Sequence, residues 1–119
     1  MPRSSSNFRQ GEILLLGLPF TDYLGEKLRP VLVVSSDELN KVSDDLIVLK
    51  ITGSPHFEEF QVELEQKDLL RGKLKNKSFI DCSSVFTVKK SLIIKSIGEI
   101  GPEKMDEVKE ILKRTFGVG

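Results

Sequence analysis

The sequence LIVLKIT at residues 46–52, followed directly by GSP at 53–55, predicts a short β-strand that ends at a turn. Before it, PVLVVSS at 30–36 is rich in β-branched residues and predicts a second strand. We expect Pro30 at the start of that strand, because a proline has no N–H to give to a sheet ladder. The aliphatic run at 12–20 predicts a further, buried strand. These segments indicate a β-sheet.

Later segments at 60–64, 78–83 and 92–100 also have the patterns of strands. Between the early strands, residues 21–28 predict a loop, and residues 37–45 predict a turn with a short helical piece. About six short strands separated by turns are typical of a small barrel or sandwich. The sequence therefore predicts a mainly β fold.

The C-terminal end predicts a helix. Pro102 suits a first helical position, and Gly117 is a suitable stop. Between them, apolar residues recur at helical spacing: Met105, Val108, Ile111, Leu112 and Phe116. The predicted architecture is a small antiparallel β-barrel closed by one amphipathic C-terminal α-helix.

The length of 119 residues fits one domain, which we place at 8–119 after a predicted disordered tail at 1–7. That tail lacks the apolar core of a secretory signal, and no segment is apolar enough to cross a membrane. One cysteine and one histidine exclude an internal disulfide framework and a Cys/His zinc site. We therefore expect a cytoplasmic protein.

The charges balance overall, with 18 basic and 18 acidic residues, which argues against a globally basic nucleic-acid binder. They are nevertheless segregated, because residues 58–65 are acidic and residues 67–77 are basic. From Arg71 to Lys77 a cation occupies every second position, so an extended chain would present all four on one side. A solvated loop and a local positive patch both remain open, and charge alone favours the loop.

Three ordered segments resemble the MazF/PemK family of toxins from toxin–antitoxin systems. They are GEI at 11–13 leading to LPFTD at 18–22, LRPVLVV at 28–34, and IVLKITGS at 47–54. The sequence NKSFIDC at 76–82 and the final helix follow in the expected order. The resemblance covers roughly residues 8–117.

The resemblance implies an SH3-like barrel that forms a homodimer. It also implies a metal-independent endoribonuclease that cleaves single-stranded RNA, and so mRNA, and that needs no cofactor. In such enzymes the 2′-hydroxyl attacks the adjacent phosphate, which gives a 2′,3′-cyclic phosphate. The implied partners are the RNA substrate, a cognate antitoxin and, together with the antitoxin, operator DNA.

The resemblance makes Arg29 and Thr52 catalytic residues. A guanidinium stays charged at neutral pH and offers a fork of donors to two phosphate oxygens, so we expect Arg29 to stabilise the transition state. The hydroxyl of Thr52 can donate to the same phosphate. His56 is added because an imidazole exchanges protons near neutral pH and because it lies four residues after Thr52.

Four further residues near these positions are candidate RNA contacts. Gly53 lets backbone N–H groups approach a phosphate, and Ser54 follows it. Asp22 and Glu26 lie in the loop that leads to Arg29 and are candidate bases or RNA contacts. Histidine and carboxylates in loops are also common for no reason other than solvation, and that interpretation stays open.

Asp81 and Ser83 stand where some family members have an Arg and an Asp. Phe86 stands where an arginine is common before the residue that aligns with Thr87. These departures remove two cations from the RNA surface, and the basic segment 67–77 is a candidate replacement. Cys82, in a strand, fits a small buried apolar residue better than a nucleophile. Asp81 and Ser83 are kept as candidate substrate contacts.

Two other functions stay open. One is a non-catalytic barrel that binds the antitoxin and DNA and so regulates its own operon, which the missing cations favour. The other is a gyrase-poison-like toxin that acts through its C-terminal end. Such toxins use a tryptophan there, and this chain has none.

Overall fold

The computed structural model describes residues 8–19 and 26–119, so the predicted tail at 1–7 and the candidate Asp22 lie outside the described residues. The strands are β1 (Glu12–Pro19), β2 (Glu26–Val33), β3 (Asp45–Thr52), β4 (Gln61–Leu64), β5 (Leu69–Gly72), β6 (Ser78–Lys89) and β7 (Ile93–Ile100). The α-helices are α1 (Asp37–Val42) and α2 (Pro102–Phe116). Single 3₁₀ turns lie at Glu58–Phe60, Gln66–Asp68 and Lys90–Leu92.

All the strands form one antiparallel sheet in the order β4-β6-β3-β2-β1-β7-β5, which curls into a half-barrel. The β1–β2–β3 meander lies in the middle of the sheet, with β6 next to β3 on one side and β7 next to β1 on the other. The predicted mainly β fold with one C-terminal helix is confirmed.

Helix α2 begins and ends where the sequence predicts. Pro102 occupies the first turn, where a backbone N–H would find no acceptor within the helix, so the absence of an N–H in proline costs no hydrogen bond. Gly117 ends the helix in a left-handed conformation, with a φ of 68°, and donates its N–H to the Arg114 carbonyl. Met105 and Val108 are buried and Ile111 and Leu112 pack partly against the core, so this part of the predicted apolar stripe is core packing, whereas Phe116 is exposed.

Apolar side chains form one cluster on each face of the sheet. The cluster beneath α2 contains Ile13, Leu32, Leu49, Ile51, Val62, Leu64, Ile80, Cys82, Ile100, Met105 and Val108. The cluster on the other face contains Phe8, Leu14, Leu16, Val31, Val33, Leu46, Val48 and Val88. Because side chains alternate along a strand, β3 contributes to both clusters. The central strands are therefore buried on both faces, which fits their near-continuous apolar sequences.

The expected position of Pro30 at the start of a strand is wrong, because β2 begins at Glu26 and places this proline in its interior. Pro30 lies opposite Leu15 of β1, while the ladder between β2 and β3 begins only at Val31. At Pro30, β2 thus has a ladder on one side only, and an open strand edge tolerates a residue without an N–H.

Strand β5 is a second difference, because residues 69–72 lie in the charged segment and show no apolar alternation. Leu69 packs against the cluster beneath α2, and Arg71 anchors β5 to the sheet by polar contacts. Its guanidinium lies 3.2 Å from a carboxylate oxygen of Glu12 and 3.6 Å from one of Glu99, and it donates to the Ser96 hydroxyl at 2.8 Å. Glu12 is only 2% exposed, and a buried carboxylate needs such a charged partner.

Strand β6 is also longer than predicted, since it continues past Ser83 to Lys89. Its first part places Asp81 opposite Lys50, whereas its second part places Val85 opposite Leu49. Three residues, 82–84, therefore bulge out of the ladder between these two pairs.

No helix within residues 8–19 and 26–119 has the length and hydrophobicity needed to cross a bilayer.

Candidate functional site

On the face of the sheet away from α2, the central strands change from apolar to polar at one end. Arg29 lies two residues from Val31 in β2, and Lys50 and Thr52 lie two and four residues from Val48 in β3. Because residues two apart in a strand lie on the same face, these polar side chains share a face with the second apolar cluster. Asp81 joins them because it pairs with Lys50. We refer to Arg29, Lys50, Thr52 and Asp81 as the polar end.

Arg29 and Thr52 lie at the same end of β2 and β3. The ladder between these strands pairs Leu32 with Leu49 and ends with Val31 opposite Lys50, and Arg29 and Thr52 each lie two residues beyond this last pair. Both side chains therefore belong to the face that carries Val31 and Lys50. A guanidinium and a hydroxyl at this end of the sheet are suitable donors to a phosphate group.

The Thr52 hydroxyl has its oxygen engaged and its proton available. The backbone N–H of Ser54 donates to Thr52 Oγ1 at 3.3 Å, which closes the turn after β3. A hydroxyl that accepts in this way can still donate its own proton. This geometry suits Thr52 as a donor to a phosphate oxygen.

Gly53 is exposed and leaves open space beside this turn. A Cβ at Gly53 would have no atom within 4 Å, and the residue does not have a positive φ. The space suits an approaching phosphate, and neither packing nor backbone conformation requires a glycine here. Ser54 is exposed, and its backbone already serves Thr52.

Asp81 is buried, and both of its carboxylate oxygens are engaged. Oδ1 accepts from the Ser83 hydroxyl at 2.6 Å and the Ser83 N–H at 3.1 Å, and Oδ2 accepts from the Ser84 hydroxyl at 2.9 Å. Burial acts to raise the pKa of this carboxyl, but these hydrogen bonds and the nearby charge of Lys50 outweigh it, so the pKa is lowered. Asp81 is a fixed negative charge at the polar end.

The bulge at 82–84 produces this arrangement, because it turns the chain so that Ser83 and Ser84 can donate back to Asp81. Bulges occur often beside active sites, where they re-aim side chains. Ser83 thus contacts Asp81, and its own side chain is exposed.

Cys82, within the bulge, is fully buried under α2. Burial, with a smaller contribution from the charge of Asp81, raises the pKa of its thiol to about 12. The thiol is therefore protonated at neutral pH. The interpretation of Cys82 as a small apolar core residue is confirmed.

His56 lies in the exposed turn between β3 and β4. Its backbone N–H donates to the side-chain oxygen of Gln61 at 2.9 Å, and its ring meets the Phe57 ring edge-on at 5.2 Å between centroids. Phe57 is itself strained, with a φ of 44°. The turn is thus held to β4, while the His56 imidazole stays exposed.

A cavity of about 390 Å³ lies beside β4 and α2. Its lining includes Pro55 of the His56 turn, Gln61 and Glu63 of β4, Phe79, which pairs with Thr52, and Lys104 and Glu107 of α2. The Nε2 of Gln61 is buried without a hydrogen-bond partner. None of the four residues of the polar end lines this cavity, and neither does His56.

The basic segment 67–77 does not form one positive patch. The strand ends at Gly72, Arg71 is engaged by Glu12 and Glu99, and Lys77 pairs with Glu63 at 3.2 Å. The alternative of a one-sided row of four cations is therefore wrong. The described residues resume at Glu26, whose side chain, like the whole of Asp22, lies outside the described part of the chain. Within residues 8–19 and 26–119, no three His, Cys, Asp or Glu side chains are grouped as metal ligands.

The chain was compared with known families and solved structures. Residues 9–116 match the family model described as PemK-like, MazF-like toxin of type II toxin–antitoxin system. An endoribonuclease from a mycobacterial species, solved in complex with its cognate antitoxin, superposes with a TM-score of 0.76 at 17% identity, covering 94% of this chain and 97% of that one.

Two further structures show the same fold. The Deinococcus radiodurans MazE–MazF structure has a TM-score of 0.74 at 20% identity and covers 94% of this chain and 98% of that one. The Mycobacterium tuberculosis toxin MazF-mt6 has a TM-score of 0.71 at 16% identity, over 89% and 98% of the two chains.

Proposed function

Because the chain belongs to the PemK-like, MazF-like toxin family of type II toxin–antitoxin systems, we propose that it is a metal-independent endoribonuclease that cleaves single-stranded RNA. The observation that supports the proposal is that Arg29 and Thr52 lie on one face at the same end of β2 and β3, each two residues beyond the last ladder pair, Val31 with Lys50. The Arg29 guanidinium and the Thr52 hydroxyl are the donors proposed to bind one phosphate there. The mRNA substrate places this action in the cytoplasm.

The proposed reaction is a transfer within the RNA. The 2′-oxygen forms a bond to the adjacent phosphorus and gives its proton to a base, for which Asp22 and Glu26 are the candidates. The bond from phosphorus to the 5′-oxygen breaks, and that oxygen gains a proton. The products are a 2′,3′-cyclic phosphate and a 5′-hydroxyl. Arg29 and Thr52 stabilise the charge that builds up on the phosphate oxygens, because donors fixed in advance need no reorganisation during the reaction.

His56 is the proposed donor of the proton to the leaving 5′-oxygen. Its turn follows Thr52 directly and is attached to β4 by the hydrogen bond from its backbone N–H to the Gln61 side chain, while the His56 side chain is exposed. Gly53 and Ser54 are proposed phosphate contacts in the same turn, and Asp22 and Glu26 are proposed RNA contacts before Arg29. Asp81 and Ser83 are proposed to act on the substrate by shaping the charge of this surface.

The direct test is cleavage of single-stranded RNA by the purified, antitoxin-free protein in the presence of EDTA. We expect cleavage, with mass spectrometry showing cyclic-phosphate ends, because the proposed groups are all side chains of the protein. An Arg29→Ala, Thr52→Ala double variant, expected to be inactive, is the control for contaminating ribonuclease. Cleavage that appears only after a divalent metal is added would contradict the proposal.

Replacement of His56 tests the proposed proton donor. His56→Gln should slow cleavage by about 10²-fold, the lower end of the effect of general acid–base catalysis. Phe57→Leu, which changes the neighbouring ring only, is the matched control. Equal rates for His56→Gln and wild type at every pH would show that the histidine is only a solvated residue of the turn.

The proposed partners follow from the same family. They are a cognate antitoxin that inhibits the toxin, a second copy of this chain in a homodimer and, with the antitoxin, operator DNA. Solved relatives include structures of a toxin with its antitoxin.

A second candidate is a non-catalytic barrel that binds antitoxin and DNA. The observation in its favour is Asp81, because a buried and permanently ionised carboxylate makes the polar end less attractive to RNA. The two functions differ in the EDTA assay, since a binding barrel would leave the RNA intact. The gyrase-poison alternative gains no support from the C-terminal residues, where Phe116 and Val118 are exposed without a tryptophan.

A further inference from the structure

Lys50 occupies a place at the polar end that no role described above explains. It lies two residues before Thr52 in β3, so the two side chains point to the same face of the sheet. On its two sides the ladder pairs it with Val31 of β2 and with Asp81 of β6. The side chain is exposed although its neighbours in the strand, Leu49 and Ile51, are buried.

Lys50 and Arg29 are close enough across the two strands to share an anion. Lys50 pairs with Val31, and Arg29 lies two residues from Val31 on the same face, so Arg29 is the diagonal neighbour of Lys50 just past the last ladder pair. Diagonal neighbours in an antiparallel sheet lie about 7–8 Å apart, a gap that two long side chains can close on one group between them. Thr52 lies two residues beyond Lys50 on the same face, so the three side chains share this end of the sheet.

The negative charge of Asp81 favours a position of the Lys50 ammonium above this end of the sheet. The carboxylate is fixed by Ser83 and Ser84, and its oxygens are already occupied by three donors. No ion pair within 4 Å joins Lys50 to Asp81 among the described contacts, yet the two residues face each other across the ladder. The ammonium is therefore attracted towards Asp81 and keeps its own donors available for a ligand.

We infer that Lys50 is a second cationic residue of the RNA site, and that its ammonium contacts the scissile phosphate together with Arg29 and Thr52. The inference rests on the proposed ribonuclease function and adds a catalytic residue to it. The ligand chemistry is that of a phosphodiester, whose unbridged oxygens gain negative charge in the transition state. One arginine alone leaves part of that charge uncompensated, and an ammonium at the diagonal position supplies the remainder.

The experiment compares Lys50→Gln and Lys50→Arg with Lys109→Gln, an exposed lysine on α2, which covers the other face of the sheet. The first measurement is the cleavage rate of single-stranded RNA in EDTA. Lys50→Gln should be about 10- to 100-fold slower, the effect of one charge-assisted hydrogen bond. Lys50→Arg should recover most of the rate because it keeps the charge, and Lys109→Gln should match wild type.

The second measurement is binding to RNA that carries 2′-O-methyl groups and cannot react. The slope of log affinity against log salt should fall by about 0.7 in Lys50→Gln, the loss of one phosphate contact on a single strand. It should be unchanged in Lys109→Gln. Thermal unfolding of each variant accompanies both measurements, and similar midpoints are expected because the lysines are exposed.

The outcomes separate this inference from the proposed function. An inactive wild type would defeat the proposed function, and the salt slope would still show whether Lys50 contacts a phosphate. A changed slope with an unchanged rate would place Lys50 on a neighbouring phosphate and overturn its catalytic role. A slower rate with an unchanged slope would overturn the direct contact and make Lys50 a structural partner of Asp81. Unchanged rate and slope would overturn the inference altogether.

Discussion

Arg29→Ala is expected to slow RNA cleavage by about 10²–10³-fold, which corresponds to about 3–4 kcal/mol of transition-state stabilisation. The reason is that the variant loses a charged donor aimed at the oxygens on which negative charge develops. The effect should fall mainly on kcat, because that charge is larger in the transition state than in the bound substrate. Single-turnover cleavage with saturating enzyme measures it directly.

Two further variants make this result specific. Arg29→Lys keeps the charge but loses the planar fork, so it should recover only part of the rate. Arg114→Ala removes an exposed arginine from the far end of α2, where it donates to the Glu59 carbonyl, and should leave cleavage unchanged. If a folded Arg29→Ala cleaves at the wild-type rate, the site lies elsewhere on the molecule.

Gly72→Ala is expected to cause the largest loss of stability, about 2–5 kcal/mol, because backbone strain and steric overlap act together. Gly72 has a φ of 96°, which side chains rarely allow. An added Cβ would lie 2.7 Å from the Cα of Gly98 and would overlap the carbonyl oxygen of Ile97. Since these are backbone atoms, β5 would have to move away from β7, and Arg71 would be drawn away from Glu12.

Thermal or urea unfolding measures this effect, and the midpoint should fall by about 10 °C or more. Gly53→Ala is the matched control, because its Cβ meets nothing within 4 Å and its φ is not positive. We expect its unfolding midpoint to stay close to that of wild type. Equal stability of the Gly72→Ala and Gly53→Ala proteins would mean that β5 does not need its close contact with β7.

The central part of the fold was predictable because apolar burial alone determines it. The sequences at 46–52 and 12–20 are apolar almost throughout, since both faces of these strands are covered, and β3 and β1 appear where this pattern predicts them. The helix at 102–116 was predictable for a related reason, because its apolar period of 3.6 residues is bounded by Pro102 and Gly117.

The parts that escaped prediction depend on contacts between distant residues. Strand β5 is attached through Arg71 to Glu12, a residue 59 positions away in sequence, and no local pattern records such a pairing. In β6, Asp81 and Val88 are an odd number of residues apart, so a regular strand would put them on opposite faces. The bulge at 82–84 places them on the same face. The simple alternation of a strand is thus broken at Ser83, where the predicted strand stopped.

In the candidate site too, some features were predictable from the sequence and others depend on contacts between distant residues. Family resemblance proposed Arg29 and Thr52, and the register of β2 and β3 places both at the same end of the sheet, two residues past the last ladder pair. The period of two residues in β3 would have grouped Lys50 with Thr52, and this signal was present in the sequence. The engagement of Asp81 by Ser83 and Ser84 required the bulge and was not predictable from spacing.

The burial of Cys82 determines what kind of association two copies of this protein can have. It is the only cysteine of the chain, and its thiol is enclosed beneath α2 and protonated at neutral pH. Oxidants act on exposed thiolates, so the folded chain offers them no starting point for a sulfenic acid or a mixed disulfide. Any dimer must therefore be held by reversible contacts, and its population will follow mass action, rising with protein concentration and falling on dilution in reducing and oxidising buffers alike.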